Sequence, residues 1–111
     1  MATVVASFCA VALIATTVLI LHIGAATLAR QHAETAADLG ALAGASVALR
    51  GRDAACAAAG RVAAVNGGTM QDCSTDGADV LVQVRVVAHL GPLAGSASGR
   101  ARAGPLAARS P

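Results

Sequence analysis

Apolar and polar positions divide this chain into three regimes with different periods. From Thr3 to Ala29 it reads TVVASFCAVALIATTVLILHIGAATLA, with no acidic or basic side chain apart from His22. At about 1.5 Å per helical residue the stretch is roughly 40 Å long, more than the ~30 Å hydrocarbon core of a bilayer. Residues 1–29 are therefore expected to form a transmembrane anchor. A buried helix can also be apolar all round, but it needs a large domain around it, and only about 80 residues remain. A cleaved signal peptide competes, because Gly24-Ala25-Ala26 and Thr27-Leu28-Ala29 end in small residues that a signal peptidase accepts. The lack of Lys or Arg before the run, and a length beyond the ~7 to 15 residues of a signal core, favour an uncleaved anchor.

Arg30-Gln31-His32 marks a polar interface, after which residues 34–49 read ETAADLGALAGASVAL, rich in helix formers and without Pro. Residues 30–50 are thus expected to continue the same helix as a spine. Arg30, Glu34 and Asp38 follow each other at i, i+4 and describe a wet face. The other face is a stripe of small residues running from Ala29 through Ala33, Ala37, Gly40 and Gly44 to Ala48. Such a stripe lets another backbone approach closely, so Ala33, Ala37, Gly40, Gly44 and Ala48 are expected to pack against a helix. That helix is either the second one of this chain or the anchor of a neighbouring subunit.

Leu49-Arg50-Gly51-Arg52 interrupts the pattern, with Gly51 placed to end the helix and arginines suited to its negative end. Asp53 is the expected cap of a second helix, Ala54 to Val65, closed by Asn66-Gly67-Gly68. Its inner face is predicted to carry Cys56, Ala59, Val62 and Ala63. From Thr69 the period becomes two. Met70, Asp72 and Ser74 alternate with Gln71, Cys73 and Thr75, Asp76-Gly77 offers a tight turn, and Val80 to Val87 forms a β-branched run. Val80, Val82, Val84 and Val86 should face inward, with Leu81, Gln83 and Arg85 outward.

After Gly91-Pro92 the composition is that of a flexible tail. Yet Ala97, Gly99, Ala101 and Ala103 alternate with Ser98, Arg100 and Arg102, which suits a strand paired to 80–87. The pattern leaves both readings open. Residues 51–103 are expected to form a small extracytoplasmic α+β domain, with two or three antiparallel strands, and 104–111 a disordered tail. The expected fold class is α+β and pilin-like: a long amino-terminal transmembrane and spine helix, a second short helix and a small antiparallel sheet.

Composition narrows the chemistry. The one aromatic residue, Phe8, lies in the anchor, so the domain must build its core from Ala, Val, Leu and a Met, which bury little area each. Eight arginines and six acids leave a net charge of +2, too small and dispersed for nucleic acid, and no aromatic side chain can stack on bases. His22, His32 and His89 are far apart in sequence; no nucleophile–base set, phosphate loop or metal-ligand spacing is present. No catalysis, cofactor, metal or small-molecule substrate is expected. Cys9 lies in the anchor, and Cys56 and Cys73 follow it. A cysteine pair in a small, core-poor domain outside the cytoplasm favours a disulfide, with two buried free thiols as the alternative.

Several segments together resemble a family. Ala2-Thr3-Val4-Val5 opening the apolar run, Arg30-Gln31-His32-Ala33, and Ala36-Ala37-Asp38-Leu39-Gly40-Ala41-Leu42-Ala43-Gly44-Ala45 are similar to TadE/TadG-like pseudopilins. In particular the chain resembles small actinobacterial TadE-like proteins encoded beside Flp pilus or type II/IV secretion ATPase genes. Ala55-Cys56-Ala57-Ala58, Val65-Asn66-Gly67, Cys73, Val84-Arg85-Val86 and Ala101-Arg102-Ala103-Gly104-Pro105 extend the resemblance over most of the chain. It implies a minor pilin-like subunit or assembly component of a Flp/Tad-type pilus or related secretion system, without enzymatic activity. The implied partners are the membrane and other pilin-like subunits or secretion-machine membrane proteins. The implied topology is single-pass, amino terminus cytoplasmic and carboxy-terminal domain outside. A basic leader, a Gly before the processing site and a Glu five residues after it, usual in prepilins, are not visible here. A start upstream of Met1 is one expectation that this departure raises. The alternative function is a small secreted protein released by cleavage near residues 26–29, with an unknown binding role.

Overall fold

The computed structural model describes residues 1–90 and 93–105. Helix α1 runs from Ala2 to Ser46 without a kink residue, as expected for a stretch of Ala, Leu and Val that contains no Pro. The helix expected to continue to residue 50 ends at Ser46, four residues earlier. Val47 leaves helical geometry and Ala48–Arg50 tighten into one 3₁₀ turn. Gly51 then reverses the chain at φ 106°, ψ 169°, an extended positive-φ conformation and not the left-handed helical terminator predicted from sequence.

Helix α2 spans Arg52–Val65 and follows Gly51 directly. Asp53 therefore sits inside the first turn, where its charge suits the positive helix end, and does not act as the cap. The buried stripe of α2 is Ala55, Ala59 and Ala63, spaced i, i+4, i+8. Cys56 and Val62 are half-buried at its margins, so the inner face is rotated slightly from the one predicted. Asn66 closes the helix and Gly67, at φ 80°, supplies the turn beyond it.

Strands β1 (Thr69–Asp76), β2 (Asp79–Leu90) and β3 (Leu93–Ala103) form one antiparallel sheet in the order β1-β2-β3. Between β1 and β2 the loop is Gly77-Ala78, and Gly77 at φ 62° provides the positive φ that a tight hairpin requires. The stretch after Gly91-Pro92 is thus a strand over 93–103 and not a flexible tail. Its small residues are opposite the valines: Ala97 with Val86, Gly99 with Val84, Ala101 with Val82 and Ala103 with Val80. Of the expected tail, Gly104 is half-buried against Asp79, and 106–111 lie outside the described residues.

The fold class is α+β. Both helices lie on one face of the sheet, and the core between them is made only of Ala and Val among the described residues. Val80 and Val84 are the largest fully buried side chains, and the leucines expected in the core are absent from it.

Candidate packing and membrane surfaces

The small-residue stripe of α1 is where backbones meet. A Cβ added to Gly40 would lie 3.1 Å from Ala59 O, and one added to Gly44 would lie 3.0 Å from both Ala55 O and Val80 Cγ1. Helix α2 therefore crosses α1 with its carbonyl groups against the two glycines, so close that a methyl group at either position would need a neighbour to give by a few tenths of an ångström. Ala33 and Ala37 are fully buried, and Ala48 is half-buried in the 3₁₀ turn that follows the helix. The strip is also occupied from the sheet side. A Cβ on Gly99 of β3 would stand 2.5 Å from Glu34 N and 2.6 Å from Ala33 O.

Gly40 and Gly44 thus face this chain's own α2, Gly44 also touches β2 and Ala33 lies under β3, while Ala37 is in the core cluster and Ala48 packs against it. Ala36 and Ala41, buried beside them and absent from the sequence prediction, complete the seam. Both lie one position beside predicted stripe residues, and their burial follows from a seam wide enough to hold a helix and a strand side by side.

Cys56 and Cys73 are joined in a disulfide, with Cα atoms 5.8 Å apart. Strict alternation along β1 would turn Met70 and Cys73 to opposite faces. A register shift between Met70 and Asp72 corrects this: Met70 is opposite Val84 and Cys73 opposite Val82, so both pack on the core. The extra residue, Gln71, is the mark of a bulge. Through it the edge strand becomes stapled to the second turn of α2. Cys9 is a free, exposed thiol.

The other tertiary polar contacts hold element ends. His32 Nε2 is 2.7 Å from Asn66 O, tying the last turn of α2 to α1. Sequence spacing alone gave no signal for this pair, which is 34 residues apart. Arg102 Nε donates to Asp79 Oδ2 at 2.7 Å, and its Nη2 lies 3.3 Å from Asp76 Oδ2. The hydrogen bond to Asp79 and then its charge raise the Arg102 pKa above the ordinary arginine value, so the guanidinium stays charged at any practical pH. Asp79 is buried, and its Oδ1 finds no partner among the described residues. Arg30 and Glu34 form the exposed i, i+4 pair expected of the wet face, 3.3 Å apart.

Below Arg30 the surface changes character. None of the most apolar window of α1 is buried, and Phe8, Leu13, Ile14, Leu21 and Ile23 are all exposed by more than half. Its polar side chains turn back on the helix. The hydroxyls of Ser7, Thr16, Thr17 and Thr27 donate to the carbonyl four residues earlier, and His22 Nδ1 is 2.9 Å from Val18 O. A segment that must leave no polar group for water to satisfy has this arrangement. No group of three or more His, Cys, Asp or Glu that could hold a metal occurs among the described residues.

Residues 1–47, which are α1 and its last turn, match the family described as "Putative Flp pilus-assembly TadE/G-like". No curated protein matches the chain. No solved structure matches it either.

Proposed function

We propose, from the match of its first 47 residues to the TadE/G-like family of Flp pilus assembly, that this chain is a minor pilin-like subunit or assembly component of a Flp/Tad-type pilus or related secretion system. It is held in the membrane by residues 1–29 and performs no catalysis. Its amino terminus is cytoplasmic and residues 51–103 form the extracytoplasmic domain. The observation that carries this reading is the contrast along α1. Residues 1–24 are exposed, apolar and internally hydrogen-bonded, while the part from Ala33 to Gly44 carries the buried face of a small domain's spine.

A disulfide requires an oxidising compartment, which supports placing the domain outside the cytoplasm. The small-residue stripe is occupied by the chain's own α2 and β3, so neighbouring subunits must use another face. Leu28, Leu39 and Leu42, exposed by 67, 40 and 60%, offer one. Apolar area of this kind, rising from the end of the anchor along the spine, is suited to a second helix.

Shearing cells of the source organism and immunoblotting the filament, membrane and medium fractions tests the proposal. A chain retaining residues 1–29 is expected in the membrane and in sheared filaments, and Leu39→Arg with Leu42→Arg should deplete the filament fraction. A shortened chain beginning near residue 27–30 and found only in the medium would instead establish the secreted-protein reading.

A further inference from the structure

The spine and the sheet carry complementary charges on opposite sides of the molecule. On α1, Glu34 and Asp38 are one turn apart and both exposed. Glu34 has only the exposed Arg30 as an ionic partner, and Asp38 has none among the described residues. At about 100° per residue, the two acids form an edge of the helix between the buried seam of Gly40 and Gly44 and the face that carries Leu39 and Leu42.

The valines of β2 are buried against the helices, so the alternate residues face away from them. That outer sheet face carries Arg85 on β2 and Arg100 on β3, both exposed and neither in an ion pair among the described residues. Arg102 shares the face but is held by Asp79 and Asp76. A groove of about 400 Å³ crosses it, its lining including Asp72, Ser74, Leu81, Gln83 and Arg100. Asp72, on the β1 side, repels a carboxylate, and Arg100, on the β3 side, attracts one.

The two sets of charges stand at the same height along α1. A Cβ on Gly99 would meet the backbone of Ala33 and Glu34, and Val80 Cγ1 lies at Gly44. Gly99 is opposite Val84. From Val84 to Val80 the strand advances about 13 Å, and from Glu34 to Gly44 the helix advances about 15 Å, so the two rise together. Arg100 follows Gly99 on the side toward Val80, and Arg85 follows Val84 on the other. At about 3.3 Å per strand residue and about 6 Å per four helical residues, Arg85 is within about 5 Å in height of Glu34, and Arg100 of Asp38.

These charges cannot meet within one molecule, because the sheet lies between them. Two copies whose α1 helices cross the same bilayer are held at the same height, which brings the acid edge of one level with the arginines of the other. We propose that the outer sheet face docks the acid edge of α1 of a second copy, with Glu34 opposite Arg85 and Asp38 opposite Arg100. The contact joins two different surfaces, so each copy at an end keeps one of them free and the association continues into a row or a ring. Exposed ion pairs are individually weak; here they fix height and orientation, while confinement to one bilayer raises the effective concentration. The contact rests on the reading of α1 as a membrane anchor, and its test separates the two.

Cys9 is the free thiol of the chain, so in a Cys9→Ser background introduced cysteines cross-link alone. Full-length Cys9→Ser protein carrying Gln31→Cys and Ser98→Cys, both at exposed positions near the height of the contact, is reconstituted into phosphatidylcholine vesicles at low protein-to-lipid ratio and treated with a short bismaleimide. The expected result is a ladder of dimers, trimers and longer products. Arg85→Glu with Arg100→Glu, or Glu34→Lys with Asp38→Lys, should lower the cross-linked fraction roughly tenfold, and all four changes in one chain should restore it. Retention of the Cys56–Cys73 bridge verifies the fold of each variant. Dimers alone, a ladder indifferent to charge reversal, or no restoration in the fourfold variant overturns the contact. A chain that resists carbonate extraction yet gives no ladder overturns the contact alone, whereas a chain that carbonate removes from the vesicles overturns the anchor and the contact with it.

Discussion

At Gly99 a single missing carbon decides how closely a strand can lie on a helix. The Cβ of any other residue would stand 2.5 Å from a backbone nitrogen of α1, and backbone cannot yield as a side-chain tip can. Gly99→Ala is therefore expected to destabilise the domain by about 1 to 3 kcal/mol, the usual cost of overpacking. Gly95, on the same strand, has nothing within 4 Å of a built Cβ. Gly95→Ala should change stability by less than about 0.5 kcal/mol. Thermal unfolding of the two variants in detergent reads the difference, and equal midpoints would show that β3 does not press on α1. The alternation of small and basic residues over 97–103 indicated which side of a strand would face inward. It carried no information on the contact with α1, because Gly99 and Ala33 are 66 positions apart and only the folded chain brings them together.

Two elements, α1 and α2, make their closest approach through glycine and alanine. Gly40→Leu with Gly44→Leu should push α2 off the spine at a cost of order 1 to 3 kcal/mol or more, seen as a lower unfolding midpoint. Unchanged stability would mean that α2 is not seated there. The same core is so poor in large side chains that the disulfide contributes a large share of what holds β1 to α2. For a loop of 17 residues the loop-closure model places its contribution at about 3 kcal/mol. Cys56→Ser with Cys73→Ser should lower stability by about that amount. In the native protein, alkylation after denaturation without reductant should modify Cys9 alone, and modification of all three cysteines would disprove the bridge. Pairing of the two cysteines was legible from composition, but the means was not. It depends on a bulge at Gln71, which follows from the need to place Met70 and Cys73 on the same face.

For the molecule as a whole, the lower part of α1 is suited to lipid, because residues 1–24 expose a continuous apolar surface. A charge in its middle is costly there. Leu13→Arg should raise the insertion free energy by ~2.5 to 3.5 kcal/mol and empty the membrane fraction, measured by carbonate extraction and immunoblotting. A variant that remained wholly membrane-bound would show that residues 3–29 are not the span. The molecule extends 73 Å along its longest axis, about the length of a straight helix of 45 residues, so α1 sets its reach.

What the amino-acid order determined by itself was everything that depends on local period and on side-chain transfer free energy. The apolar run from Thr3 to Ala29, the helical spine, the second helix, the inward valines and the lack of aromatic core residues all belong here, since neighbours in sequence suffice to specify them. The tertiary structure alone decided matters that depend on residues distant in the chain. It turned the stripe of Ala33, Gly40 and Gly44 toward the protein's own α2 and sheet, where either an internal or an external helix would have satisfied the same pattern. It made residues 93–103 a strand, because their backbone groups gain partners in β2 and Gly99 lies directly on α1, advantages that a Gly, Ala and Ser composition cannot announce.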